Sequence, residues 1–295
     1  MHTGEGAAAV AFAAEHRRAM GTRMDTAGQM AIAADWIRAA DGILITAGAG
    51  MGVDSGLPDF RGDNGFWKAY PALKAEGINF YDIANGEAFL RDPVRAWGFY
   101  GHRLDLYRRT VPHEGFEILQ RWASAKGNGG FVFTSNVDGQ FQKAGFADDH
   151  LLECHGSIHF LQCGQSCTHQ IWSADGFQPE VDASRCALLS PLPTCPNCGG
   201  VARPAILMFD DWHWVDARTR GQQMWYEAWL SSVEQIVVIE LGAGGAVPTV
   251  RHMSERFGPR VVRINPRDYA IDARKGLGLP GRSLDVLRSL SESVG

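Results

Sequence analysis

A chain of 295 residues, 45% hydrophobic and 21% charged, is long enough for one large domain carrying a smaller insertion, or for two domains. Its net charge of −5 and pI near 6.1 exclude the basic footprint of a nucleic-acid binder, and no apolar run approaches the roughly 18 residues of a membrane-spanning helix. Six cysteines in a chain of this size do not make a disulfide scaffold, so a reducing cytoplasm and metal binding are expected.

In chain order, residues 1–26 open with an alanine-rich run that ends in Glu15-His16-Arg17-Arg18. No basic region precedes the run and no small-residue cleavage site follows, so it reads as an extension rather than a secretory signal. Met30, Ile32, Ala33, Trp36 and Ile37 then predict an amphipathic helix over 27–40, leading into the apolar strand Gly42-Ile43-Leu44-Ile45. Directly after that strand stand Gly48, Gly50, Gly52 and Gly56. Glycines at a strand end allow backbone to approach a ligand, and a helix N-terminus behind them would aim N–H groups at a phosphate. The spacing departs from the dinucleotide fingerprint, because Gly52 comes one residue early and Val53 takes the third glycine's place. A tight strand-to-helix turn is the plainer alternative for the glycines. The continuation Ser55-Gly56-Leu57-Pro58-Asp59-Phe60-Arg61 sets an acid, an aromatic and a base side by side, which is site chemistry.

Residues 62–110 hold ten aromatic rings among short helical patterns broken by Pro71, Gly77 and Pro93. They read as a helical module, most of whose rings serve packing. A helix from about His113 to Ala125 precedes the strand Phe131–Thr134, which ends in Ser135-Asn136-Val137-Asp138-Gly139. Polar groups at the carboxyl end of a strand are where α/β sheets meet ligands. His155 stands at another such end. The region 161–204 breaks this rhythm with Cys163, Cys167, Cys195 and Cys198, two close pairs that match a tetrathiolate zinc ribbon. His159, His169 and Cys186 stand nearby as substitute ligands. A closed thiolate site leaves no position for a reacting water, so this metal would hold the fold. Strands are then expected at 206–209, 236–239 and 261–264, with helices at 221–230 and 284–290. A second glycine-rich turn, Gly242-Ala243-Gly244-Gly245, follows one of these strands. The alternation predicts an α/β fold, a parallel sheet with helices on both faces.

Four features in this order resemble the sirtuins, the Sir2 family of NAD-dependent protein deacylases. They are the Gly48-Ala49-Gly50 loop running into Asp59-Phe60-Arg61, the Asn136-x-Asp138 turn, the His155-Gly156-Ser157 turn and the split cysteines. The resemblance covers about Met30 to Leu290 and implies a Rossmann-type sheet with an inserted small domain. On that reading 1–26 is an extension, and 27–61, 110–160 and 205–295 form the NAD-binding domain. Residues 62–109 are the helical module and 161–204 the zinc ribbon.

The resemblance also implies roles. Gly48, Ala49 and Gly50 would cradle the pyrophosphate, with Ser135, Gly242 and Ala243 alongside, and Asn265 would meet the adenosine ribose. Asp59, Phe60 and Arg61 would close over the cofactor, and Asn136 and Asp138 would line the nicotinamide pocket. His155 would act as general base while the acyl group of a lysine passes to ADP-ribose and nicotinamide leaves. Tyr100 and Arg103 have the spacing that in some sirtuins reads succinyl or malonyl groups, since a guanidinium can hold a carboxylate through two hydrogen bonds. An arginine on a solvated helix face is the alternative. The implied partner is an acyl-lysine protein, with Phe209 in the segment that meets it, and NAD and zinc are the implied cofactors.

Three departures stand out. Ser135 replaces a usual glutamine, Gly242-Ala243-Gly244 replaces a Gly-Thr-Ser, and Phe209-Asp210-Asp211 replaces a Phe-Gly-Glu that pairs with the peptide. The last substitution motivates the alternative of mono-ADP-ribosyl transfer or NAD hydrolysis on the same scaffold.

Overall fold

The computed structural model describes residues 25–58 and 63–295; the expectations placed on 1–24 and on Asp59, Phe60 and Arg61 lie outside the described residues. The strands in chain order are β1 (Gly42–Ala47), β2 (Gly130–Thr134), β3 (Leu151–Glu153), β4 (Gly156–Cys163), β5 (Ile171–Ser173) and β6 (Val181–Asp182). They continue with β7 (Ala187–Leu188), β8 (Ala202–Ile206), β9 (Ile236–Leu241), β10 (Val261–Asn265) and β11 (Gly276–Pro280).

Six of them build one parallel sheet in the order β11-β10-β9-β1-β2-β3. Counted by appearance within the sheet, this is the order 3-2-1-4-5-6 of dinucleotide-binding folds, with the reversal between β1 and β9. Every residue of β1 and of β2 is buried, as parallel strands covered on both faces require. Successive side chains of β1 go to opposite cores. Ile43 and Ile45 join Ile37, Phe116, Leu119 and Leu287 from the helices Thr26–Ala39, Glu114–Ser124 and Ser283–Val294. Leu44 joins Tyr226, Trp229 and Val250 from the helices Ala217–Leu230 and Thr249–Glu255. Burying each such side chain contributes roughly 1.5–3 kcal/mol, so β1 ties both helical layers together.

A second, antiparallel sheet of order β5-β4-β8 carries the cysteine region. It shares a core with the helix Pro93–Arg109, through Trp97, Tyr100 and Leu104 against Ile158, Leu161 and Ile206. That helix starts where Asp92 accepts from the Arg95 N–H at 3.1 Å and Pro93 opens the first turn.

One expectation about strands is corrected and one strand was not foreseen. The run Ile206–Phe209 is not a strand of the parallel sheet: β8 lies earlier, at Ala202–Ile206, antiparallel to β4, and Phe209 makes only an isolated bridge to Asn85. Asp210 adopts a left-handed φ of 51° and turns the chain away. Conversely, β11 carries no strand signal in its sequence, Gly-Leu-Gly-Leu-Pro, because glycine is depleted in strands. Its glycines are required sterically, since a Cβ on Gly276 would sit 1.9 Å from the Val261 carbonyl oxygen.

Candidate active site

The reversal between β1 and β9 places two glycine turns edge to edge. Gly50 N–H donates to Gly242 O at 3.0 Å, and Gly48 N–H to Leu241 O at 2.9 Å. A Cβ on Gly50 would lie 2.7 Å from Gly242 Cα, and one on Gly48 would lie 2.9 Å from Gly242 O. The glycines of the opening loop thus serve the contact between turns, and the N–H groups of Gly48 and Gly50 are engaged there rather than directed into a cradle. Ala243 packs on the same contact, its carbonyl accepting from Asn265 Nδ2 at 3.1 Å. Asn265 Oδ1 accepts from the N–H groups of Arg267 and Asp268, so its amide braces the ends of β9 and β10.

On the other side of β1, the end of β2 is knitted to it. Thr134 Oγ1 and Ser135 N–H donate to Ala47 O, and Asn136 Nδ2 donates to Gly48 O at 3.0 Å. These bonds hold Ser135, Asn136 and Asp138 at the wall of a cavity of about 240 Å³ whose lining also includes Ala49, His155, Tyr100, Arg103 and Phe209. His155 is placed there by the tight passage from β3 to β4. Gly156 has φ +75°, a Cβ on it would lie 2.2 Å from Ala205 O, and His155 O accepts from Leu207 N–H at 2.9 Å. Gly50, Gly242, Ala243 and Asn265 lie off this lining, at the neighbouring strand ends.

Asp138 is the electrostatic centre of the cavity. Burial pushes its carboxyl up to about 6, against the opposing pull of the Gln140 N–H and the Arg103 guanidinium. Arg103 itself is 9% exposed, which removes the alternative of a solvated helix face. Its Nε and Nη2 donate to Tyr107 Oη at 3.0 and 2.7 Å, and its guanidinium carbon lies 5.6 Å from the Tyr100 ring centre. Burial works against the arginine's charge, and Tyr107 and Tyr100 outweigh it. Tyr107, also in the lining, was not singled out from sequence; its one available signal was the four-residue helical spacing from Arg103. Phe209 packs against Tyr81 at 4.4 Å between ring centres, with the rings tilted by 49°, and Tyr81 is 59% exposed, so this pair links the cavity wall to the surface.

Cys163, Cys167, Cys195 and Cys198 bring their sulfurs within 4.8 Å of one another. The pairs Cys163–Cys198 and Cys167–Cys195 lie 3.7 and 3.6 Å apart. Four thiolates around one zinc at about 2.3 Å would lie about 3.8 Å apart by tetrahedral geometry, so the donor set and its spacing fit that ion. The substitutes are used otherwise or stand outside the cluster. His159 Nε2 pairs with Asp138 O at 3.0 Å, the Cys186 backbone is clasped against Gly98, and His169 is exposed.

The parallel sheet, its reversal point and the polar strand ends define an α/β protein of the dinucleotide-binding class. The sequence profile of the Sir2 family matches residues 48–239. An NAD-dependent protein deacylase of Aquifex aeolicus is 30% identical over 232 residues, covering 78% of this chain and 85% of that protein. The NAD-dependent protein deacylase 2 of Pyrobaculum aerophilum is 30% identical over 269 residues, 88% of this chain and 94% of its own. The chain belongs to the Sir2 family. A solved complex of a Sir2 homologue with NAD shares the fold, with a TM-score of 0.66 at 22% identity over 88% of this chain and 92% of that one. No helix among the described residues is long and apolar enough to cross a membrane.

Proposed function

We propose that this protein is an NAD-dependent protein-lysine deacylase whose pocket favours acyl groups ending in a carboxylate. The observation that carries the reading is the convergence of Asn136, Asp138, His155 and the Tyr100–Arg103–Tyr107 group on one cavity at the carboxyl ends of β1 and β2. When bound, NAD supplies the ribose carbon that nicotinamide leaves. Asn136 and Asp138 would hold the nicotinamide end, with Ala49 and Ser135 beside them, while Leu57, Pro58 and Phe80 wall the cavity against water. His155 would accept a proton at a ring nitrogen, a task to which an imidazole is suited. Arg103 and the phenols offer a charge-assisted clamp for an acyl carboxylate, and Phe209 flanks the lysine stem. The partner is an acyl-lysine protein in the reducing cytoplasm, where four thiols stay free to hold zinc.

The test is a panel of acetyl, propionyl, succinyl and malonyl peptides assayed with NAD for nicotinamide release and free lysine. Stoichiometric release with succinyl or malonyl peptide, lost in His155→Ala, is the expected result. Loss of succinyl but not acetyl turnover in Arg103→Met would assign the clamp. NAD consumption independent of any acyl peptide would replace deacylation by ADP-ribosyl transfer or hydrolysis.

A further inference from the structure

Leu57 and Pro58 reach the cavity wall at the end of a turn that starts at Met51. A turn of this length needs anchors if its far end is to stay in place. Its internal bonds include Ser55 N–H to Gly52 O at 3.0 Å, Gly56 N–H to Val53 O at 3.0 Å and Leu57 N–H to Gly52 O at 3.1 Å. Two external ones come from a residue outside the cavity, His113. Its backbone N–H donates to Ser55 Oγ at 3.0 Å, and its Nε2 lies 3.0 Å from Met51 O.

We propose that His113 is a positioning residue for the cofactor site, a neutral imidazole that pins both ends of the Met51–Ser55 turn. Gly115 N–H donates to His113 Nδ1 at 3.0 Å, which makes that nitrogen an acceptor. The ring proton therefore resides on Nε2 and is donated to Met51 O. Both ring nitrogens are committed in one tautomer, and a protonated ring would set an N–H against the Gly115 N–H. Burial lowers the imidazole pKa, which favours the neutral ring; the bond to Met51 O, Asp54 on the turn and Glu114 on its own helix oppose this, and Arg288 on the last helix assists it. Gly115 is specified by the same arrangement, because a Cβ there would meet His113 Cε1 at 2.5 Å. The turn is also tethered by Asp54 Oδ2, which accepts from Leu284 N–H at 3.0 Å, whereas His113 grips it at two points.

The inference rests on the cavity being the NAD site, yet its first readout is independent of activity. In the full chain, hydrogen exchange at the amides of Ser55, Gly56 and Leu57 is expected to accelerate about tenfold or more in His113→Leu, with the β1 amides unchanged. His113→Gln, whose amide can both donate and accept, is expected to restore protection. Gly115→Ala displaces the ring without altering its chemistry and is expected to reproduce the leucine variant. In turnover assays, His113→Leu is expected to raise the KM for NAD by about tenfold, the scale of two lost hydrogen bonds, with kcat within about threefold. Native exchange at 55–57 in both His113→Leu and Gly115→Ala would overturn the inference. So would faster exchange accompanied by an unchanged KM for NAD, which would mark the residue as merely structural. A wild-type chain that binds no NAD by calorimetry would refute the proposed function instead, and the exchange arm would still decide whether His113 anchors the turn.

Discussion

Gly50 and Gly242 touch backbone to backbone, joined by an N–H···O bond of 3.0 Å across the point where the strand order reverses. Gly242 has φ +58°, and a Cβ there would lie 2.3 Å from Met51 N. The left-handed conformation alone costs an ordinary residue about 1–2 kcal/mol, and the clash would push the two turns apart. Gly242→Ala is therefore expected to weaken NAD binding by at least about tenfold in calorimetry and to lower thermal stability. Gly244→Ala is the control, because nothing lies within 4 Å of its Cβ position, and it is expected to change stability by less than about 0.5 kcal/mol. Equal behaviour of the two variants would show that the turn contact does not organise the site.

The charge at Asp138 opposes folding. Its carboxyl stands at about 6 in the folded chain, against an ordinary value of 3.8, so between these values the folded state binds the extra proton. Stability from this group falls as pH rises through that window, and above about pH 6 the penalty is constant, on the order of 3 kcal/mol. Asp138→Asn keeps an oxygen for the Gln140 N–H, which lies 3.0 Å from Oδ1, and discards the charge. Urea unfolding is expected to show a gain of about 1–3 kcal/mol at pH 7.5 that disappears near pH 4. Nicotinamide release is expected to be lost in the same variant. A gain that is equal at both pH values would mean that the charge is not its source.

Much of the fold was legible because β1, β2, β9 and β10 are buried along almost their whole length and so appear as largely apolar runs, interrupted in β9 and β10 by Glu240 and Arg263, which pair with each other. The strand β11 was hidden by the glycines that its packing demands. The polar strand ends were legible for a related reason, since Ser135–Asp138 and His155 interrupt apolar sequence abruptly. The state of Arg103 was not, because the helix Pro93–Arg109 is clasped on more than one face. A Cβ on Gly98 would lie 2.1 Å from Cys186 O, and one on Gly101 would lie 2.8 Å from Pro179, so a segment distant in sequence covers what reads as a half-polar helix. The anchoring bonds of His113 are invisible for the same reason, being made to a turn about 60 residues away.

The four-cysteine cluster makes a stoichiometric prediction. Purified protein is expected to carry one zinc per chain, displaced by a thiol-directed mercurial in the presence of a chromogenic chelator. On removal, the amides of β4, β5 and β8 should lose exchange protection well before those of β1 and β2, because the cysteines flank the smaller sheet. Cys195→Ser is expected to reproduce this loss. Protein that holds no zinc by elemental analysis yet keeps the smaller sheet protected would remove the metal from the fold.

Arg203 and Asp211 form a two-pronged ion pair, Nη1–Oδ2 at 2.8 Å and Nη2–Oδ1 at 2.9 Å, with both side chains 1% exposed. Asp211 also accepts from the N–H groups of Met208 and His213, so one carboxylate fixes the bend that carries Phe209 to the cavity. The second aspartate of Phe209-Asp210-Asp211 is thus spent inside the protein, while Asp210 is exposed at the left-handed bend. Removing one partner of such a pair leaves the other charge buried and costs about 3–5 kcal/mol, whereas replacing both by apolar groups is often neutral. Asp211→Ala is expected to lose stability on that scale in chemical denaturation, and Arg203→Met combined with Asp211→Leu to recover most of it. With the bend no longer fixed, the double variant is expected to show a KM for acyl peptide raised severalfold and a KM for NAD close to native. A double variant native in both constants would show that the pair stabilises the fold without shaping the substrate wall.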